Sequence, residues 1–389
     1  MDIIAKELFL PNDGRGRPVF SGFVSYISQQ EPIIMLCYAY YDNSDSYDDF
    51  NYIISRDNGR TWSRPVLFLR SQQTSNGRLR YAEPTAFFDS QNNKLLTMIK
   101  KGYYPNDSAH DAKDVTWSLE MNIYDPLKDR WEREELSSFG FREGLGISFC
   151  FPIITSQRRL LFPAIKPQVN EKGEQVHYPG SWTRASQSLV IIGEYGFGGN
   201  LSWRPGEPVT GDLHKTSRGL TEPTICELRD GRIAMICRGS NFAFPDRPGY
   251  KWLTFSDDGG ESWNKPDPLF FTDGKPLLSG SNGSALFRSI KNEKLYWIGN
   301  PSFGQKPKEN WPRYPLAIFE VQEEPLAINS ETMVIIDNRS ENDSSKLQLS
   351  NFRYYQDREN GEIVLFLPRL DFKSGKTIGH GYYRYRISV

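Results

Sequence analysis

Residues 222–238, EPTICELRDGRIAMICR, read as two apolar strands joined by a polar turn at residues 229–232. Residues 233–237 form a continuous apolar run, which is typical of a strand buried on both faces. Pro223 stands at the start of the first strand, where its missing N–H does least harm. A carboxylate opens this hairpin and a guanidinium ends it, so we expect both charges at the same end of the hairpin.

The same hairpin pattern recurs along the chain. Six copies occupy residues 20–41, 83–102, 148–167, 222–240, 283–302 and 350–370. Their starts are separated by 63, 65, 74, 61 and 67 residues, a period that allows about four strands per repeat. We therefore predict an all-β fold, a six-bladed β-propeller of four-stranded antiparallel blades, in a single domain spanning residues 1–389. The C-terminal GYYRYRISV is predicted to pair with the N-terminal segment and close the ring.

The amino-acid composition agrees with this fold class and bears on which classes of binding partner to expect. Aromatic residues make up 14% of the 389 residues, alongside 32 Gly and 25 Pro, which is the profile of a turn-rich β protein. The formal net charge of −1 predicts neither a nucleic-acid nor a membrane partner and leaves the oligomeric state open. No signal peptide is visible, so we expect a cytoplasmic protein, or a secreted or periplasmic one if a leader has been removed.

The cysteines and the short motifs predict neither a metal nor a cofactor. Cys37, Cys150, Cys226 and Cys237 each lie in an apolar run without CxxC spacing, so buried free thiols are expected. The chain has no phosphate-binding loop and no ordered metal-ligand spacing. The aspartates after the first hairpin do not follow the EF-hand pattern of a calcium site.

A second motif keeps the same period as the hairpins. Residues 55–62 (SRDNGRTW) and 256–263 (SDDGGESW) share the pattern S-x-D-x-G-x-x-W, and degenerate versions end at Trp131 and Trp203. Ser and Asp can bond the turn backbone and Trp can pack on the blade, which predicts a structural turn in the outer hairpin. The motif resembles the Asp box, or BNR repeat, of the sialidase (neuraminidase) superfamily, whose six-bladed propeller matches the period over essentially the whole chain. This resemblance implies a glycoside hydrolase that acts on an acidic, carboxylate-bearing sugar.

The resemblance implies that three arginines bind the substrate carboxylate. Arg17 in GRGRPVF precedes the first hairpin, with Arg15 as a competing choice; Arg238 ends the fourth hairpin, and Arg313 precedes a later strand. Three planar, permanently charged guanidiniums suit bidentate capture of one carboxylate. Asn300 is expected to bind substrate on the same axial face.

Carboxylates complete the expected site. Glu222 matches the family's base toward a catalytic tyrosine, with a blade-closing ion pair as the alternative. Glu83 has the same Glu-Pro-Thr context in the second repeat and is expected to contact substrate, unless that tripeptide is simply how blades begin. The family's acid/base aspartate lies in the loop after the first hairpin. Asp48 is the best placed of the four candidates there, which are Asp42, Asp45, Asp48 and Asp49.

One position departs from the family pattern. The nucleophilic tyrosine should precede the last inner hairpin in a Tyr-Ser context, and this chain has Leu349-Ser350 there. Tyr354 and Tyr355 come too late along the strand to replace it. The usual retaining mechanism with a tyrosine nucleophile is therefore in question.

The missing tyrosine leaves two other functions open. The first is a lyase that cleaves uronic-acid glycans by β-elimination, in which an arginine neutralises the uronate and a His or Tyr removes the C5 proton. Its candidate bases are His110, His177 with Tyr178, and His214. The second is a propeller that binds an acidic glycan without catalysis.

Overall fold

Six antiparallel sheets follow one another along the chain in the computed structural model. It describes residues 1–41, 48–105, 116–136, 144–178, 184–304, 306–373 and 376–389. The sheets are named blades I to VI in chain order, and within these residues they confirm the predicted six-bladed β-propeller.

Blades I to III take up the first half of the chain. Blade I is built from β2 (Val19–Tyr26), β3 (Ile34–Tyr40), β4 (Phe50–Ser55) and β5 (Val66–Leu69). Blade II is built from β6 (Gln72–Thr74), β7 (Gly77–Asp89), β8 (Lys94–Pro105), β9 (Thr116–Asp125) and β10 (Arg130–Glu135). Blade III is built from β11 (Ile153–Ile154), β12 (Leu160–Pro167), β13 (Ser186–Tyr195) and β14 (Leu201–Pro205).

Blades IV to VI follow, with the N-terminal strand β1 (Asp2–Leu10) completing the last of them. Blade IV is built from β15 (Thr221–Glu227), β16 (Ile233–Arg238), β17 (Lys251–Ser256) and β18 (Asp267–Pro268). Blade V is built from β19 (Ala285–Arg288), β20 (Leu295–Gly299), β21 (Leu316–Glu323), β22 (Leu326–Ile328) and β23 (Val334–Asp337). Blade VI is built from β24 (Arg353–Gln356), β25 (Ile363–Lys373), β26 (Lys376–Ser388) and β1. Short 3-10 turns lie at Phe197–Gly199 and Ser330–Thr332.

Each predicted hairpin contributes two adjacent strands of a blade. Four blades have the four strands expected, whereas blade II gains β6 and blade V gains β23, so these two have five. The predicted ring closure is confirmed, because β26 pairs antiparallel with β1 from Asp2↔Ser388 to Leu10↔Tyr382. This pairing gives β26 a partner on both sides and leaves β1 as the outermost strand of blade VI.

The core lies between the blades. Among the described residues, six clusters of buried apolar side chains are found, and each is formed mainly by two neighbouring blades, from I with II round to VI with I. Strand β16 is buried on both faces, as predicted. The four cysteines are buried and free, and burial raises the pKa of Cys226 and of Cys237 to about 12. None of the described helices is long and apolar enough to cross a membrane.

The two S-x-D-x-G-x-x-W stretches form tight turns in the outer hairpins of blades I and IV. In the second, the Gly260 N–H donates to Ser256 Oγ (2.8 Å), and Ser256 Oγ donates to Asp258 Oδ1 (2.7 Å). The same oxygen of Asp258 accepts from the Ser262 N–H (3.0 Å). Residues 55–61 repeat these bonds in blade I. The turns join β4 to β5 and β17 to β18, away from the axis, in the structural role predicted for them.

Candidate active site

A cavity of about 540 Å³ opens on the propeller axis, within the range of roughly 300–1,000 Å³ usual for small-molecule sites. All six blades contribute to its wall, through inner-strand ends and the segments that connect the strands. The described lining residues include Phe20, Ser21, Tyr41, Glu83, Lys100, Ser148, Phe149, Arg184, Arg218, Glu222, Arg238, Ser281, Asn310, Trp311, Arg313, Lys346, Gln348, Asn351 and Arg353.

This cavity is strongly basic although the chain as a whole is nearly neutral. Its described lining contains seven basic side chains and two carboxylates, those of Glu83 and Glu222, whereas the formal net charge of the protein is −1. A concave surface with one sign of charge raises the local concentration of ligands of the opposite sign. The cavity is therefore suited to an anionic ligand.

Arg238 and Glu222 form an ion pair at the mouth of blade IV. Strand β15 begins beside the end of β16, so the register pairs Thr221 with Arg238 and brings both charges to the cavity, as the hairpin predicted. Arg238 Nη1 donates to Glu222 Oε1, Nε to Ser281 Oγ (3.0 Å) and Nη2 to Asn310 Oδ1 (3.1 Å). Burial opposes ionisation of Glu222, but the charges of Arg238, Arg313 and Lys251 outweigh it, so its pKa lies below the ordinary value.

Arg313 lies against the same two residues that hold Arg238. Its Nη2 donates to the Ser281 carbonyl (3.0 Å), and its Nε donates to the Asn310 carbonyl (3.2 Å). Nη1 donates to Gln348 Oε1 (2.9 Å), and the guanidinium carbon lies 5.7 Å from the centroid of the Trp311 ring. Two guanidiniums predicted from separate parts of the sequence are thus brought together on one side of the cavity.

Glu83 forms a second carboxylate–guanidinium contact in the cavity wall, with Arg353. Glu83 Oε2 accepts from the Phe149 N–H (3.0 Å) and lies 3.6 Å from Arg353 Nη2. Arg353 is buried, donates from Nε to the Gly22 carbonyl, and lies 4.9 Å from the Phe149 ring centroid. Arg353 was missed in the sequence, where its only signal is a charge inside the apolar strand that begins the sixth hairpin.

The backbone around the cavity is strained at three non-glycine residues. Glu83, Phe149 and Glu222 have φ angles of +54°, +40° and +45°, in the left-handed region that such residues rarely adopt. Register shifts in β7 and β15 at the two Glu-Pro-Thr segments show that each forms a β-bulge. Strain of this kind concentrates at functional sites, which supports the cavity as one.

A buried lysine lies behind the blade IV ion pair and was not anticipated. Lys251 on β17 is the register partner of Arg238, is 1% exposed, and donates from Nζ to the carbonyl and the side-chain oxygen of Asn282. Burial lowers the pKa of Lys251 to about 7, with Glu222 opposing and the two arginines adding to the shift. Nothing in the run KWLTFS distinguishes this lysine from a surface residue.

Three other predicted binding or catalytic residues, Arg17, Asp48 and Asn300, are not among the described residues that line the cavity. Arg17 donates to Asp13 Oδ2 (2.7 Å) and Asp48 Oδ2 (2.9 Å), and Arg78 donates to the other oxygen of Asp48 (3.1 Å). Asn300 is fully buried, and its amide donates to the carbonyls of Arg313 (3.1 Å) and of two further residues, so it supports the arginine segment from behind.

The candidate bases of the elimination reaction have different surroundings. His110 lies outside the described residues. His177 is bridged to Arg184 through the backbone, and the buried Tyr178 lies under the Arg218 guanidinium, whose carbon is 5.7 Å from the ring centroid. His214 is exposed and stacks on Phe244.

The tyrosines near the last hairpin do not reach the cavity. Leu349 is fully buried in the core between blades V and VI. Tyr354 packs between Phe151 and Phe287, and burial raises its pKa well above the ordinary value. Among the described lining residues the one tyrosine is Tyr41, which follows β3. Within the part of the chain that is described, no group of three or more His, Cys, Asp or Glu is arranged to hold a metal ion.

No protein-family model matches the sequence, and no curated protein matches it. Solved structures do match over almost the whole chain. A leech intramolecular trans-sialidase complexed with 2,7-anhydro-Neu5Ac is similar with a TM-score of 0.66 at 13% identity, over 98% of this chain and 70% of that one. The NanB sialidase from Streptococcus pneumoniae gives a TM-score of 0.65 at 12% identity with the same coverage.

A mutant of Trypanosoma rangeli sialidase that displays trans-sialidase activity is also similar, with a TM-score of 0.60 at 12% identity over 98% of this chain. The chain spans 58% of the length of that protein. At these identities the comparisons concern the fold. The chain therefore has a sialidase-like six-bladed propeller fold.

Proposed function

We propose that the protein is a sialidase-like glycoside hydrolase that acts on an acidic sugar bound in the axial cavity. The observation that carries the proposal is the meeting of Arg238 and Arg313 over Ser281 and Asn310, beside the carboxylate of Glu222. A carbohydrate substrate follows from the same argument, because the fold is shared with sialidases and the cavity is basic.

The arginine pair is the proposed binding site for the sugar carboxylate. An arginine has five N–H donors, and the bonds of Arg238 described above use three of them. The remaining donors of a guanidinium held in place by its neighbours suit bidentate binding of a planar carboxylate. Arg17, the third arginine expected from the family resemblance, is proposed to act at the rim together with Asp48, since both lie outside the described lining.

Hydrolysis needs a carboxylate that attacks or activates water and a second group that donates a proton to the leaving oxygen. Glu222 suits the first role, because its lowered pKa keeps it ionised at neutral pH. Asp48 keeps the acid/base role expected from the family resemblance, and Glu83, the other carboxylate of the described lining, is proposed to contact the substrate. Tyr41 is the alternative nucleophile, in keeping with the tyrosine that sialidases use.

The test is a panel of fluorogenic glycosides of N-acetylneuraminate and of hexuronic acids. We expect release of fluorophore from at least one acidic glycoside and none from the matching neutral glycosides. Arg313→Lys keeps the positive charge but loses the planar guanidinium that can bind a carboxylate through two N–H groups, and should lower kcat/KM at least tenfold. Arg229→Ala, at the exposed opposite end of the blade IV hairpin, is the matched control and should be unchanged. Cleavage of neutral glycosides alone would contradict the proposal.

A uronate lyase is the second candidate, supported by the position of Tyr178 under Arg218, which lines the cavity. In that reaction Tyr178, or His177 beside it, would remove the C5 proton of a uronate whose carboxylate is held by the arginines. Digestion of a polyuronate would then produce the absorbance of an unsaturated uronate, and hydrolysis would not. If neither product forms but Arg238→Ala abolishes binding of an acidic glycan, the propeller is a binding protein without catalysis.

A further inference from the structure

Blades II and IV present equivalent cation positions to the same cavity. In blade IV the register pairs Arg238 with Thr221, the residue before Glu222. In blade II it pairs Lys100 with Ala82, the residue before Glu83. Both hairpins open with Glu-Pro-Thr and a β-bulge, so Lys100 occupies in blade II the position that Arg238 has in blade IV.

The two cations differ in how their charge is compensated. Glu222 pairs directly with Arg238, whereas Glu83 is directed to the Phe149 N–H and Arg353. Among the described residues, no carboxylate lies within 4 Å of the Lys100 ammonium. Its Nζ instead lies 4.2 Å from the centroid of the Trp117 ring, a cation–π contact that fixes the ammonium without neutralising it.

This leaves positive charge beyond what one sugar carboxylate would balance. Lys100 is half-buried, and a partly desolvated ammonium is stabilised by an anion brought to it. Arg184 and Lys346 line the same cavity and, among the described residues, also lack a carboxylate at ion-pair distance. A lysine ammonium is a compact point charge with three donors, and in this form lysine commonly binds phosphate.

We propose that the cavity takes an acidic sugar with two anionic groups, a carboxylate bound by Arg238 and Arg313 and a sulfate or phosphate ester bound by Lys100. The assignment of the carboxylate rests on the proposed function. The second subsite is independent of whether the bound sugar is hydrolysed, because it follows from the register of blade II and from the contacts of Lys100.

Calorimetric titration with matched sugars tests the proposal. The probes are glucuronate, galacturonate and N-acetylneuraminate, each as the free acid, as a mono-O-sulfate and as a mono-O-phosphate. We expect at least one ester to bind about tenfold more tightly than its parent acid. The ratio of the two dissociation constants should fall to about one in Lys100→Gln and should be largely kept in Lys100→Arg.

Lys101→Gln is the matched control, because Lys101 is next to Lys100 on β8 and pairs with Glu120 at 3.6 Å. The Lys101→Gln protein should keep the wild-type ratio of the dissociation constants of the parent acid and its ester. A gain with the phosphate ester alone, or with the sulfate ester alone, identifies which anion the subsite takes. If the parent acids bind and no ester gains affinity, the second subsite is overturned while the proposed function stands. If the ester gain persists in Lys100→Gln, Lys100 is not the subsite. If no acid and no ester binds, both proposals fail.

Discussion

Arg238 and Arg313, from neighbouring blades, donate hydrogen bonds to the same two residues, Ser281 and Asn310. Asn310 contributes its side-chain oxygen to Arg238 and its carbonyl to Arg313, so it sets the spacing of the two guanidiniums. Substitution Asn310→Ala removes the first bond and leaves the second. Because a hydrogen bond to a charged group contributes about 1.5–3 kcal/mol, we expect kcat/KM for an acidic glycoside to fall by at least tenfold.

The control for this substitution is Asn292→Ala, which removes a bond to the Tyr296 hydroxyl in the turn of blade V, away from the cavity. Thermal unfolding of both variants should be measured, since a shared loss of stability would account for a shared loss of activity. An Asn310→Ala enzyme with unchanged kcat/KM would show that the spacing of the arginines is not used.

Glu222 gives a prediction for pH dependence. Its pKa in the folded protein is lowered from the ordinary 4.5, so the stabilisation from its charge is present above pH 4.5 and is lost as pH falls through the lower folded value. The acidic limb of the kcat/KM profile should therefore lie below pH 4.5. Glu222→Gln should lower kcat at least about a hundredfold. A Tyr41→Phe enzyme that is equally inactive would instead identify a tyrosine nucleophile.

Lys251 should make the free energy of unfolding depend on pH in the alkaline range, between about 7 and 10.5. Its pKa is about 7 in the folded protein and 10.5 ordinarily, so between these values the unfolded chain binds a proton that the folded chain does not. The free energy of unfolding should therefore gain a component that rises with pH from about 7 to 10.5. Urea unfolding of Lys251→Met should lack this component, and the exposed Lys265→Met of the same blade should retain it. Parallel pH curves for wild type and Lys251→Met would contradict the assignment.

The S-x-D-x-G-x-x-W turns should matter for stability and leave catalysis unchanged. Ser256→Ala deprives the buried Gly260 N–H of its acceptor, which should cost about 1–3 kcal/mol of unfolding free energy. Values of kcat/KM below the melting transition should match the wild type, because the turn faces away from the axis. Ser202→Ala, on an exposed position of β14, should change neither quantity. A loss of activity in the stable Ser256→Ala protein would assign the turn a role at the site.

The blades could be predicted from the repeats, because each hairpin contains two apolar strands and a polar turn, and the hairpins recur at a regular spacing along the chain. The same local information placed Glu222 beside Arg238, since the two ends of one hairpin must meet. The extra strands β6 and β23 could not be predicted, because each is a short segment that gains its pairing only from a strand already in place.

Much of the site depends on contacts between distant segments. Arg353 and Lys251 look like ordinary charges within apolar strands, and only the packing of neighbouring blades shows that they are buried beside Glu83 and Glu222. Arg17 illustrates the converse. Its motif predicts a ligand-binding position, but the sequence did not indicate that its guanidinium forms ion pairs with Asp13, four residues earlier, and with Asp48.

The pairing of Asp2 with Ser388 places these two residues side by side on adjacent antiparallel strands. A force that pulls Asp2 and Ser388 apart would therefore break the β1–β26 hydrogen bonds one after another from this pair onward. It would not load all of these hydrogen bonds together in shear. Mechanical failure of this propeller should begin with the release of β1 from the rim of blade VI. The arginine-lined cavity lies at the inner strands of the blades, so we expect it to keep its structure after β1 has been released.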